Sequence, residues 1–139
     1  MTQQGVPIEG LPRMRKQFKE LSDKMQRRVL RGALRAAARP VLKDAKARVP
    51  VRTGALKKAI GVAVTVKTVE STATIGVRRR RPGQPARRAH LVEFGTKHTS
   101  ARPFLRPALD SKKEAVVRTL AEALKKQIDT ETAKVAQRG

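Results

Sequence analysis

The apolar positions change period along the chain, and the changes mark out its elements. Leu11, Met14, Phe18 and Leu21 recur at helical intervals and predict a short first helix. Ser22 suits the N-cap of a second helix running from about Asp23 to Val49. In that helix Leu30, Leu34, Ala37, Val41 and Ala45 form an apolar stripe. Lys24, Arg28, Arg31, Arg35, Arg39 and Lys46 form a basic stripe beside it, at ~100° per residue. Pro40 removes a hydrogen bond and crowds the preceding turn, so the pattern predicts a kink or a break there. Gly32 and the alanines at 36–38 leave room for a neighbouring helix.

Pro50-Val51-Arg52-Thr53-Gly54 is a turn signal, and the period then drops to two. Ile60, Val62, Val64 and Val66 alternate with Gly61, Ala63, Thr65 and Lys67. Ala73, Ile75 and Val77 alternate with Thr72, Thr74 and Gly76. Two half-buried strands joined at Glu70-Ser71 give a β-hairpin, which needs helices on one face or neighbouring subunits along an edge. His90–Phe94 is short enough to be a strand or one helical turn, and a third strand is the expectation. A last helix begins near Pro103 or Pro107 and reaches about Lys134, with Leu109, Val116, Leu120 and Leu124 on its apolar face. Glu122–Lys126 is a supporting pair on it.

The expected fold is α+β: a long kinked N-terminal helix, a small antiparallel β-sheet of a hairpin plus a third strand, and a C-terminal helix. Residues 1–10 read as a flexible lead, 11–134 as a single domain and 135–139 as a flexible tail.

Composition sharpens this picture. Of 139 residues 39% are hydrophobic, but there are three phenylalanines and no tryptophan or tyrosine. Such a core buries little area per residue, and thin cores are commonly supplemented by disulfides, metals or oligomerisation. No cysteine is present, which excludes disulfides and leaves oligomerisation as the candidate. No apolar run is long enough to span a bilayer, so no membrane partner is expected. The polar N-terminus lacks a signal-peptide layout, and synthesis in the cytoplasm is the expectation.

The net charge is +22. Residues 11–49 carry 13 basic and 3 acidic side chains, residues 50–106 carry 13 and 2, and residues 107–139 carry 7 and 5. A polyanion is the implied partner, nucleic acid being the commonest; the alternatives are solubility or counter-charge for an acidic protein neighbour. The basic stripe of the second helix, with Arg28, Arg31, Arg35 and Arg39, can track phosphates or simply be solvated. A basic loop at 78–88 holds Arg78, Arg79, Arg80, Arg81, Arg87 and Arg88. Its arginines repel one another and bind phosphate bidentately, so it faces DNA or is merely solvated. No aromatic lies near it, which argues against stacking on single-stranded bases.

The most constrained stretch is Ala89 to Ala108, with Phe94, Phe104, His90, His98, Pro103 and Pro107. Phe94-Gly95 reads as an anchor closing an element, the glycine permitting a positive φ; Gly54 has the same reading. Phe94, Phe104 and Leu105 are expected in the core. Glu93 stands nearly alone among bases and is expected to pair with Arg52, Arg102 or Arg106, or else to be an ordinary exposed carboxylate.

Three motifs follow in order: Pro50-Val51-Arg52-Thr53-Gly54-Ala55-Leu56, Ala89-His90-Leu91-Val92-Glu93-Phe94-Gly95-Thr96, and Ala101-Arg102-Pro103-Phe104-Leu105-Arg106-Pro107-Ala108. With the basic helix before them, they resemble the tail-component family of lambda-like tailed phages, the neck or tail-completion proteins related to lambda tail protein Z. The resemblance covers roughly residues 10–125. It implies a structural virion protein, made in the host cytoplasm, that acts at the head–tail junction or upper tail. The implied partners are further copies in a ring, with sixfold symmetry suggested by the tail tube, then connector, tail-terminator and tail-tube proteins, and genomic DNA on the axis. The arginine density of 78–88 exceeds what the family leads one to expect.

Little here suggests catalysis. There is no cysteine nucleophile and no phosphate-cradling glycine motif. His90 and His98 lack the further ligands of a metal site, and Glu93 with His90 is an acid/base pair without a pocket. No cofactor is implied. The alternative reading from the residues is a basic nucleic-acid-binding protein of nucleoid or ribosomal type. A regulatory DNA binder would need a recognition helix, which is not recognisable here.

Overall fold

The computed structural model describes residues 8–50, 54–68, 70–78 and 85–138. The order of elements is α1 (Leu11–Lys19), α2 (Asp23–Arg48), α3 (Ala55–Ala59), β1 (Ile60–Val66), β2 (Ser71–Val77), α4 (Pro85–Phe94) and α5 (Leu105–Arg138). The α+β class holds, with a two-stranded sheet of β1 and β2 among the described residues. Residues 90–94, expected as a third strand, are the last turns of α4. The strand reading fails because five residues could not fix the period, whereas the ten from Pro85 open with a helix-starting proline. Arg87 and Arg88, expected in a loop, therefore lie on this helix; 79–84 lie outside the described residues.

The chain divides into two compact units. The first takes its described residues from 1–37, 64–72 and 114–139. Its core is Met14, Leu21, Val29 and Ile128, with Phe18, Met25 and Leu124 packed against them. The Gln26 side-chain amide donates to the Phe18 carbonyl (3.0 Å) and ties α2 to the end of α1. Ser22 caps α2 as expected, its hydroxyl accepting from the Met25 N–H. Gly32 allows the close approach anticipated for it: a Cβ there would stand 3.0 Å from the Gln127 amide of α5. Between the strands the Lys67 N–H donates to the Glu70 carbonyl (3.0 Å), and Ser71, expected in the turn, is already the first residue of β2.

The second unit takes its described residues from 38–63 and 73–113. Val41, Ala45, Val49, Leu56, Ala59, Ile60, Ala89, Phe104 and Ala108 are buried in it. Asp44 accepts from the Arg48 guanidinium (2.8 Å) and the Ser111 hydroxyl (3.0 Å), joining α2 to the first turns of α5.

Several expectations shift. The buried ridge of α2 is Val29, Ala33, Ala37, Val41 and Ala45, continued just past its end by Val49, while Leu30 and Leu34 are half-buried. Pro40 lies inside an uninterrupted helix; it is half-buried, and its missing N–H leaves the Ala36 carbonyl without its usual i+4 donor. α5 continues to Arg138 instead of ending near Lys134, so 135–138 are helical. Its ion pairs form at Asp110–Lys113, Glu114–Arg118 and Glu131–Lys134 instead of Glu122–Lys126. Leu109, assigned to its apolar face, is 49% exposed. No helix among the described residues is long and apolar enough to cross a membrane.

Candidate functional site

The Ala89–Ala108 stretch is a joint built around one carboxylate. Glu93, in the last turn of α4, accepts from the backbone N–H groups of Phe104 (2.8 Å), Leu105 (3.1 Å) and Arg106 (3.1 Å). A helix leaves its first N–H groups without intrahelical partners. Here Glu93 takes the N–H of the residue before α5 and those of its first two residues, and the third, Pro107, has none to offer. The charge also complements the positive end of the α5 dipole. Burial raises the Glu93 carboxyl, but the three backbone donors and Arg106 more than offset this, so its pKa lies below the ordinary glutamate range. The expected side-chain pairing with Arg102 or Arg106 is thus replaced by a backbone cap, and Arg52 lies outside the described residues.

The chain between the two helices is folded to serve this cap. Gly95 has φ +76°, the left-handed conformation expected of it. A Cβ there would stand 2.7 Å from the Ala101 nitrogen and 3.0 Å from the Thr99 carbonyl, so the site is closed sterically as well. The Thr96 hydroxyl accepts from His98 and Thr99, and the Thr96 N–H donates to the Thr99 carbonyl (2.8 Å). The Arg102 N–H donates to the Val92 carbonyl (2.8 Å), and Phe104 is then fully buried. Arg102, Pro103 and Arg106 are exposed, and Pro107 is half-buried. Phe94, expected in the core, is 73% exposed. Its place on α4 explains this: Ala89 and Val92 face inward, and Phe94 falls with His90 on the outer side, their rings 5.0 Å apart.

The first motif is only partly described. Pro50 is half-buried just after α2, and Gly54 has φ +76° immediately before α3, its carbonyl accepting from the Lys58 N–H. α3 packs on α4.

The basic stripe of α2 emerges where it was expected. Lys24, Arg27, Arg28, Arg31 and Arg35 are exposed and line a shallow basin of about 730 Å³ with Asp23 and Gly32. Lys24 to Arg35 spans about 17 Å at 1.5 Å per residue. Of these cations Arg28 pairs with a carboxylate, its guanidinium 3.7 Å from Glu131. Arg39 is exposed further along the same helix, and Lys46 is half-buried. Arg78 is exposed beyond β2, with its N–H on the Ala59 carbonyl, and Arg79–Arg81 lie outside the described residues.

The sequence offered no sign of Glu131, 2% exposed on α5, with one carboxylate oxygen unpartnered. It did contain a signal for the inner ridge of α2, the four-residue spacing from Val29 to Val49. Both Glu93 oxygens are engaged by backbone donors, so Glu93 and His90 do not form a free acid/base pair. Among the described residues no group of three or more His, Cys, Asp or Glu could hold a metal ion.

Residues 13–95 match the model of a family described as "Bacteriophage HK97-gp10, putative tail-component". No curated protein and no solved structure matches the chain. The match runs from the third residue of α1 through α4 and ends at Gly95, the residue that turns the chain toward α5.

Proposed function

The chain belongs to the HK97-gp10-like family of bacteriophage tail components, and on that premise we propose that it is a non-enzymatic neck or tail-completion subunit. It is made in the host cytoplasm and enters the virion at the head–tail junction. Copies form a ring about the DNA path, sixfold to match the tail tube, between connector and tail-terminator proteins. The observation that carries this reading is the exposed cationic row on α2 in a chain of net charge +22. Attraction to phosphates without base contacts holds duplex DNA while letting it slide, which a channel lining requires. Arg39, Arg78, Arg87 and Arg88 are exposed cations of the second unit and further candidates for the same ligand, as are Arg79, Arg80 and Arg81 from the sequence. A core with Phe104 as its one fully buried aromatic supports assembly as the added source of stability.

The test is duplex-DNA binding across a salt series, with the assembled state measured in parallel. Arg28, Arg31, Arg35 and Arg39 changed together to serine should lower the slope of log K against log salt by about 3–4, at ~0.9 per phosphate contact. Discrete rings with this salt response support the proposal. An unchanged slope removes the α2 face from the DNA path, and a monomer that coats DNA cooperatively favours a nucleoid-type protein.

A further inference from the structure

We propose that an apolar groove in the second unit, beside α4, is the docking site for an acidic segment of a different tail protein carrying an apolar anchor residue. The inference rests on the virion role proposed above. The groove has a volume of about 570 Å³, and Ile75 and Val77 of β2, Phe94 of α4 and Leu105 and Leu109 of α5 supply apolar wall. Its size falls within the range of ordinary ligand pockets. Of the wall residues, Phe94 is 73% exposed and Leu109 49%, so one of three phenylalanines in an aromatic-poor chain is left at the surface. Apolar groups clustered this way with a polar border mark protein contact surfaces.

Charge selects the occupant. The acidic residues of this unit are Asp44, Glu93 and Asp110. Asp44 is held by Arg48 and Ser111, Glu93 by the start of α5, and Asp110 by Lys113 (3.4 Å). Arg106 lines the groove, and Arg102 and Lys97 are exposed cations in the same unit. A second copy brings like charge to this face: even its least basic part, residues 107–139, carries 7 basic and 5 acidic side chains. Duplex DNA has no apolar side chain to fill the groove. A segment with a leucine- or phenylalanine-type anchor flanked by Asp or Glu satisfies both the walls and the cations, with complementary charge setting partner choice.

The experiment replaces Phe94 by the photocrosslinker p-benzoylphenylalanine in the full chain and irradiates purified tailed particles. Mass spectrometry then identifies the linked peptide. The expected product joins position 94 to a different virion protein, at a site flanked by Asp or Glu. Links to a second copy, to another part of the same chain or to DNA, or particles that contain the chain but yield no link, overturn the groove assignment. Absence of the chain from particles overturns the virion reading, and the inference with it. As a second measurement, the Phe94→Ser/Leu109→Ser variant should keep its thermal melt and lose about tenfold or more in copies per particle. Unchanged copy number with an unchanged melt also overturns the assignment; a shifted melt leaves the crosslink to decide.

Discussion

Removing the Glu93 carboxylate should loosen the α4–α5 joint. Glu93→Ala leaves the N–H groups of Phe104, Leu105 and Arg106 without their acceptor. Hydrogen bonds to a charged group are worth about 1.5–3 kcal/mol each, which for three would overstate the loss. Arg106 is exposed and Leu105 half-buried, so water recovers part of it. Loss of an N-cap alone costs about 0.5–2 kcal/mol, and the lost charge at the helix start adds about 0.3–1. We expect about 2–4 kcal/mol for Glu93→Ala and about half that for Glu93→Gln, which keeps one acceptor oxygen. The assay is urea unfolding followed by circular dichroism, repeated across the acid range. The folded-state pKa of Glu93 is lowered, so its contribution is present above the unfolded-state value and is lost as pH falls through the folded-state value. The gap between the native chain and Glu93→Gln should therefore be full at neutral pH and close in acid. A Glu93→Ala protein within about 0.5 kcal/mol of the native chain would refute the capping argument, as would a gap that persists unchanged in strong acid.

The two positive-φ glycines of the motifs should respond differently. Gly54→Ala meets nothing within 4 Å and should cost about 1–2 kcal/mol, the left-handed penalty alone; Gly95→Ala adds a backbone clash at 2.7 Å and should cost clearly more by the same unfolding assay. Phe104→Ala empties a fully buried site and should cost about 3–5 kcal/mol, whereas Phe94→Ala should stay within about 0.5 in melting experiments. Glu131→Met should be near neutral or stabilising by about 1 kcal/mol, since its partners Arg28 and Lys134 remain half in water when it is gone. A large loss there would mean the carboxylate organises the unit.

The long helix α2 and the hairpin were legible because each carries a sustained period. By contrast, α5 carries little amphipathic period over its length and was read from the prolines at its start and a few leucine and valine positions. The hairpin alternation from Ile60 to Val77 and the Ser22 cap needed no tertiary information. The segment 90–94 was misread because its partners are remote: the cap it makes joins Glu93 to residues 11–13 positions later, beyond the reach of any local capping box. The same separation hid why Phe104 is buried and Phe94 is not, since the two share residue type and glycine- or proline-rich surroundings. The basic face of α2 was visible from spacing alone, because solvent needs no partner. Glu131 was invisible, for burial of a carboxylate is decided by the helix packed over it.

A cryo-electron microscopy reconstruction of purified tailed particles tests the central claim most directly. The account predicts a ring of this chain at the head–tail junction, with Lys24, Arg28, Arg31 and Arg35 turned toward the DNA on the axis. Particles that lack the chain, or that carry it elsewhere with α2 facing away from the DNA, would contradict it.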